Sequence, residues 1–156
     1  MSRSAVLLCL VAIAGCHHRA PAAAPATPAP QAAPAPAAGP SLYQRLGGLD
    51  AIRAVVSDFL TRVTADARIN AFFRGVDEED LKAELTDQIC QATGGPCHYT
   101  GKSMREAHAQ LTVTNADFDA LVGDLKASLD HFGVGAREQS ELLGALGGMR
   151  KDIVTR

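Results

Sequence analysis

Large aromatic side chains are scarce in this sequence. Its 156 residues include no tryptophan, two tyrosines and five phenylalanines. So few bulky side chains fill a wide core poorly, because interiors are packed as densely as organic crystals. The composition therefore fits two structures equally, a core of Leu, Val and Ala or a core completed by a cofactor.

Charge is nearly absent from residues 1–40, where Arg3 and Arg19 are the only charged side chains. The same stretch holds seven of the eight prolines. Residues 41–156 hold 13 basic and 17 acidic residues, which gives a formal charge of −4. We interpret residues 41–156 as one globular domain. Its mildly acidic surface argues against nucleic acid as a partner.

The N-terminus reads as a targeting segment. Arg3 supplies positive charge, and the apolar stretch 5–14 is too short to span a bilayer as a permanent helix. The stretch ends in Ile-Ala-Gly-Cys at 13–16, which resembles a bacterial lipobox. We expect a lipoprotein signal peptide over 1–15, lipid on Cys16 as the membrane anchor, and an Ala/Pro-rich tether over 16–40. The alternative is a plain secretory signal with a chance cysteine.

The expected location follows from this segment. The residue after the lipidated cysteine is His17 rather than aspartate, which in Gram-negative lipoproteins favours the outer membrane, on its periplasmic side. In that oxidising compartment Cys90 and Cys97, seven residues apart across a Gly-Gly-Pro turn, could form a disulfide. Two inert buried thiols and a redox-sensing pair are the alternatives, whereas the spacing is not the Cys-x-x-Cys of thioredoxin-like sites.

Helical periodicity dominates residues 41–156, and no strand pattern appears. The sequence predicts a single turn at 42–46, followed by helices at about 50–65, 78–94, 102–110, 115–132 and 136–154, with a short turn at 69–73. Thr114 and Asp117 form a capping-box-like start. The glycines at 144, 147 and 148 weaken the last helix.

The most informative residue is His108. It follows Gly101, lies one helical turn after Met104, and has no second histidine or acidic residue at ligand spacing, which argues against zinc. A lone imidazole offered to an apolar pocket is what a haem iron needs on its proximal side. No Cys-x-x-Cys-His motif for covalent haem attachment is present.

Four segments together carry a family resemblance: Leu-Tyr-Gln-Arg-Leu-Gly-Gly at 42–48, Ala-Phe-Phe at 71–73, Gly-Gly-Pro at 94–96, and the run around His108 at 99–111. In this order and spacing they resemble a group I truncated haemoglobin over residues 41–156. The resemblance implies an all-α fold, a two-on-two helical sandwich around haem b held non-covalently. It also implies that His108 is the proximal iron ligand, with its other ring nitrogen donating to a backbone carbonyl.

The resemblance assigns the haem-contacting residues as well. The expected lining consists of Phe73, Leu81, Leu85, Tyr99, Met104, Leu111, Val113, Phe118, Leu121, Val122 and Leu125. The position that often carries a base in this family is Glu84 here, so Lys82, Lys102 or Arg105 would have to bind the haem propionates. Lys102 and Arg105 are favoured because they open the proximal helix, and the alternative is that they form a solvated charged face.

The distal side departs from the family. The position where many members carry a ligand-binding tyrosine is Leu60, and the positions of a partner glutamine and of the residue opposite the iron are Leu85 and Leu81. Gln88 is the only amide nearby, and the sequence leaves open whether it faces the pocket or solvent. If no hydrogen-bond donor faces bound dioxygen, we expect it to leave and to oxidise the iron more readily than in relatives that carry the tyrosine. The binding of CO and NO depends less on such a donor.

These features predict a lipid-anchored haem protein that binds O₂, NO or CO, served by a reductase that the sequence does not identify. Any enzymatic activity is expected to be NO- or nitrite-directed haem redox chemistry at most. Two alternatives remain open: a membrane-anchored electron-transfer haem protein with two strong axial ligands, and a haem-less globin-like module that binds a partner.

Overall fold

The computed structural model describes residues 39–156, and every regular element within them is helical, as predicted. The bounds are α1 Leu42–Arg45, α2 Gly48–Ala65, a 3-10 helix Asn70–Phe73, α3 Glu78–Ala92, α4 Met104–His108, α5 Asn115–His131, α6 Ala136–Gly147 and α7 Arg150–Ile153. The predicted signal peptide, the lipidated Cys16 and nearly all of the tether lie outside the described residues. None of the described helices is both long and apolar enough to cross a membrane.

Helix α2 forms the centre of the core. It packs against α3 on one side and α5 on another, while α6 contacts both α1 and α5. The apolar stripe predicted for α2 is buried throughout, and it comprises Ile52, Val55, Val56, Phe59, Leu60 and Val63. The 3.6-residue period therefore identified the buried face correctly.

Side-chain caps fix the helix starts that frame the site. Thr114 accepts from the Asp117 backbone N–H at the start of α5, and the Asp117 carboxylate accepts from the Thr114 backbone N–H. This is the predicted capping box. Ser103 and Glu106 form the same reciprocal pair at α4, a capping box that was not predicted.

The last helix is not continuous, and here the prediction of one helix over 136–154 is wrong. Helix α6 ends at Gly147, and α7 begins at Arg150. Neither Gly147 nor Gly144 has a neighbour that a side chain would contact. Glycine is a poor helix former, and these glycines gain no packing that would keep the helix intact.

A disulfide joins the end of α3 to the following loop. Cys90 is fully buried, and its Cα lies 5.7 Å from that of Cys97. The turn between them uses Gly94 at φ +80°. A Cβ on Gly95 would come within 2.8 Å of the Cys90 carbonyl oxygen, so the chain reverses tightly only with glycine there.

Replacing Cys97 with serine should lower the free energy of unfolding by about 2.5 kcal/mol, the loop-entropy value for closing a loop of roughly eight residues. Urea unfolding of the oxidised protein and of Cys97→Ser measures the difference. Reduced wild-type protein is the matched control and should unfold with the variant. Equal midpoints for the oxidised protein and the variant would contradict this contribution.

The seam between α2 and α5 holds two carboxylates close together. Asp66, just after α2, has its pKa lowered by hydrogen bonds from Arg68. Burial, and next the charge of Asp66, raise the pKa of Asp124 on α5. Its Oδ2 is shielded from solvent and accepts no hydrogen bond.

Because the folded state raises the pKa of Asp124, this residue favours folding only at low pH and disfavours it once the carboxyl ionises. Asp124→Asn should therefore stabilise the protein near pH 7, by about 0.5 kcal/mol for such a partly solvated group. The gain should vanish below about pH 4, where the wild-type carboxyl is protonated. Thermal unfolding across pH tests this, with the exposed Asp50→Asn as control. A gain independent of pH would contradict the charge explanation.

Candidate functional site

A large apolar cavity lies among α3, α4, α5, α6 and α7. It encloses about 1060 Å³ of space, part of it open to solvent. The residues that line it are Phe59, Phe73, Leu81, Glu84, Leu85, Gln88, Ile89, Tyr99, Met104, Ala107, His108, Phe118, Leu121, Val122, Leu125, Leu143, Leu146, Met149 and Ile153.

His108 is the only imidazole on this lining. It is the last residue of α4 and is half-buried. Its Nδ1 lies 2.8 Å from the backbone oxygen of Met104, one turn earlier in the same helix. A carbonyl oxygen only accepts, so Nδ1 carries the proton and Nε2 keeps its lone pair. The hydrogen bond from Nδ1 fixes the orientation of the ring, so Nε2 is free to ligate a metal.

This imidazole is not part of a protein-built metal cage. Among the described residues, no group of three or more His, Cys, Asp or Glu side chains is placed to hold an ion. A metal in the cavity would therefore need most of its ligands from elsewhere, as an iron porphyrin supplies its own. The wide apolar walls fit a planar apolar group of this kind.

The structure brings most of the predicted lining together. The predicted residues found on the cavity wall are Phe73, Leu81, Leu85, Gln88, Tyr99, Met104, His108, Phe118, Leu121, Val122 and Leu125. They come from α3, α4, α5, the 3-10 helix and one connecting loop, which a sequence pattern alone does not place side by side.

Three of the predicted apolar residues lie elsewhere. Leu60 was expected to face the sixth iron position, but it is 1% exposed and packs in the core, while its neighbour Phe59 lines the cavity. Val113 is also buried away from the cavity, and its backbone pairs with Thr155 near the chain end. Leu111, two residues earlier, is likewise not part of the lining.

The two predicted propionate partners are also absent from the lining. Arg105 is exposed and donates to the Asp152 carboxylate at 2.7 Å, so its charge is already paired. The Lys102 side chain is exposed, but its backbone oxygen accepts from the Tyr99 hydroxyl at 2.7 Å. Because Tyr99 lines the cavity, Lys102 lies near the rim rather than on the wall.

Gln88 points into the cavity. Its amide Nε2 lies 3.3 Å from the sulfur of Met104 and 3.6 Å from that of Met149. Thioethers are weak acceptors, so this amide is a donor without a strong partner. It is the one side-chain amide on an otherwise mainly apolar wall.

Glu84 is the only carboxylate on the lining, and it is exposed. Burial, and then the charge of Glu84, raise the pKa of the Tyr99 hydroxyl. Tyr99 therefore stays protonated and keeps its hydrogen bond to the Lys102 backbone at any ordinary pH.

Several lining residues were missed. They are Phe59, Ile89, Ala107, Leu143, Leu146, Met149 and Ile153. Most belong to apolar helix faces that the sequence does reveal. Periodicity shows which face is turned inward, but not whether that face meets another helix or a cavity.

Comparison with known proteins gives a consistent result. The family model for bacterial-like globins matches residues 41–155. A group 1 truncated haemoglobin from Tetrahymena pyriformis is 36% identical over 114 residues, which cover 73% of this chain and 94% of that protein. The group 1 truncated haemoglobin GlbN from Mycolicibacterium paratuberculosis is 36% identical over 115 residues, covering 74% and 85%.

Solved structures agree with this. The Fe(III) form of the Tetrahymena pyriformis truncated haemoglobin superposes with a TM-score of 0.72 at 35% identity, covering 75% of this chain and all of that one. A 2/2 haemoglobin from Synechococcus, solved in the cyanomet state with covalently attached haem, gives 0.71 at 33% identity, again covering 75% and 100%. The predicted two-on-two helical fold is confirmed.

Proposed function

This chain belongs to the bacterial-like globins, in the group 1 truncated haemoglobin family, and we propose on that basis that it holds one haem b in the cavity and binds O₂, NO or CO there. The observation that carries the proposal is His108, whose Nδ1 is held by Met104 and whose Nε2 is left for a metal beside an apolar cavity. When bound, haem supplies an iron atom with an open position for a diatomic gas.

The residues around the cavity suit this cofactor. Phe73, Phe118 and Leu121 offer apolar surface for a porphyrin, and Met104 lies on the same helix as His108, one turn away. The apolar walls would shield a bound metal from part of the bulk water, which favours reversible binding of a gas over loss of an electron. Tyr99 and Lys102, joined at the rim, are the groups best placed near the polar edge of such a molecule.

The distal wall sets the order of ligand preference. Leu81 and Leu85 on α3 are lining residues without a hydrogen atom to donate. Dioxygen held here would gain most from a hydrogen-bond donor on the wall, whereas CO would gain little. We therefore propose that this pocket holds CO and NO well and releases O₂ quickly, which favours sensing or scavenging of a gas over oxygen storage.

The attachment of the haem is part of the proposal. A Synechococcus relative carries covalently attached haem. Here we propose a non-covalent group, because the sequence has no Cys-x-x-Cys-His motif and Cys90 and Cys97 are consumed in a disulfide. The mass of the denatured, haem-loaded chain should equal that of the polypeptide alone.

We also propose that the domain works outside the cytoplasm. The lipobox-like Ile-Ala-Gly-Cys at 13–16 and the Ala/Pro stretch after it would tether the globin to a membrane, on the periplasmic side of the outer membrane. The disulfide supports an oxidising compartment, since such bonds persist there. Metabolic labelling with a fatty acid, lost in Cys16→Ser, would establish the anchor.

Titration of the purified haem-free protein with haemin tests the central proposal. We expect one haem per chain, followed by reversible uptake of O₂ and CO by the reduced protein. Binding of less than one haem at saturation, or of haem that exchanges no gas, would overturn it. A haem-less module that binds a partner would give the first of these results.

A further inference from the structure

The helix that carries His108 is short and weakly anchored by itself. Helix α4 spans five residues, less than two turns, and α7 is the helix that it packs against. Isolated helices of this length are unstable in water. Something outside α4 must therefore hold His108 in place.

One tie lies near the start of α4. Arg105, its second residue, donates to the Asp152 carboxylate of α7 at 2.7 Å. The Asp152 side chain is 28% exposed and the Arg105 side chain 79%. This ion pair connects α4 to α7 from the solvent side.

A second tie lies just after α4. The Thr155 hydroxyl accepts from the Val113 backbone N–H at 3.1 Å and donates to the Leu111 backbone oxygen at 3.1 Å. The Thr155 backbone N–H also donates to the Val113 oxygen at 2.9 Å. The Leu111 N–H in turn donates to the His108 backbone oxygen at 3.0 Å. Leu111 is therefore hydrogen-bonded both to Thr155 and to His108.

Helix α7 is itself fixed to the cavity wall. Arg150 donates to Asn115 Oδ1 at 2.8 Å and pairs with Asp119, both on α5. Its guanidinium carbon lies 4.4 Å from the centre of the Phe118 ring, within cation–π range. Ile153 of α7 lines the cavity directly. Helix α7, to which α4 is bound, is thus itself part of the cavity wall.

We propose that the segment 150–155 positions His108: Asp152 and Thr155 hold α4 near its two ends and so set where Nε2 stands in the cavity. The inference rests on the proposed function, in which that nitrogen binds iron. Thr155 is the key positioning residue, because its hydroxyl both accepts and donates. No helix periodicity or motif marks it.

The direct test compares Thr155→Val with Thr155→Ser. Valine matches threonine in shape but cannot accept from the buried Val113 N–H or donate to Leu111, whereas serine keeps both bonds. In the haem-loaded ferrous protein, Thr155→Val should shift the iron–histidine stretching band. It should also speed haem transfer to apomyoglobin about fivefold, because the hydrogen bonds of the Thr155 hydroxyl are lost. Thr155→Ser should behave as wild type.

Asp152→Asn should act in the same direction, and Asp50→Asn, which removes an exposed acid partnered with Arg53 on α2, should not. An unchanged stretching band and unchanged haem loss in Thr155→Val would overturn the positioning role. A variant that merely lost stability would unfold at lower urea with the band of the folded protein unmoved, and this also contradicts the inference.

Hydrogen exchange in the haem-free protein separates this inference from the proposed function. Thr155→Val should exchange the amides of residues 104–113 about fivefold faster than Thr155→Ser, with α2 unaffected. Equal exchange in the two variants contradicts the inference whether or not the protein takes haem. Failure of the wild-type chain to take haem, with faster exchange in Thr155→Val, contradicts only the haem proposal.

Discussion

Replacing His108 with alanine should abolish stable haem binding. It removes the only imidazole on the cavity lining, and the described residues offer no cluster of other ligands to replace it. We expect haem affinity to fall by at least about 100-fold, since even outer partners of a metal ligand contribute 10- to 100-fold. Haemin titration followed by absorption measures the loss.

His98→Ala is the matched control for this experiment, because His98 is exposed in a loop and is not a lining residue. It should take haem as the wild type does. A wild-type iron spectrum in His108→Ala would show that another residue is the ligand. Loss of haem in both variants would show that binding does not depend on His108 specifically.

Replacing Leu85 with glutamine should slow oxygen release. Leu85 lies on α3 and on the cavity wall, and the substitution adds a second amide donor to a wall where Gln88 supplies the only one. A hydrogen bond to a partly charged ligand contributes about 1.5–3 kcal/mol. This corresponds to an O₂ dissociation rate roughly 10- to 100-fold lower. Stopped-flow displacement of O₂ by CO measures that rate.

Leu85→Met controls for shape in this test, because methionine is similar in volume but cannot donate. It should leave the O₂ rate near that of wild type, and both variants should release CO at about the wild-type rate. Equal O₂ rates in the glutamine and methionine variants would contradict the placement of Leu85 beside the bound gas.

Local patterns in the sequence predicted much of this structure. The buried stripe of α2, the capping box at Thr114 and the isolation of His108 each depend on residues within about one or two turns of each other. Such short-range relations are fixed by helix geometry, so they do not depend on which other elements the helices pack against.

Other features depend on how distant segments meet, and the sequence could not show them. Adjacent residues on a helix differ by about 100° in direction, so the rotational setting of α2 against its neighbours decides that Phe59 faces the cavity and Leu60 the core. The tie between Thr155 and Val113 joins segments 42 residues apart. The inward direction of Gln88 depends on two methionines from other parts of the chain.

Absorption spectra of the haem-loaded protein in the ferric, ferrous and ferrous–CO states test the central claim most directly. The claim predicts a five-coordinate ferrous spectrum that changes on CO to that of a histidine-ligated complex, with the change absent in His108→Ala. A six-coordinate low-spin ferrous spectrum that CO leaves unaltered would contradict it and indicate electron transfer instead.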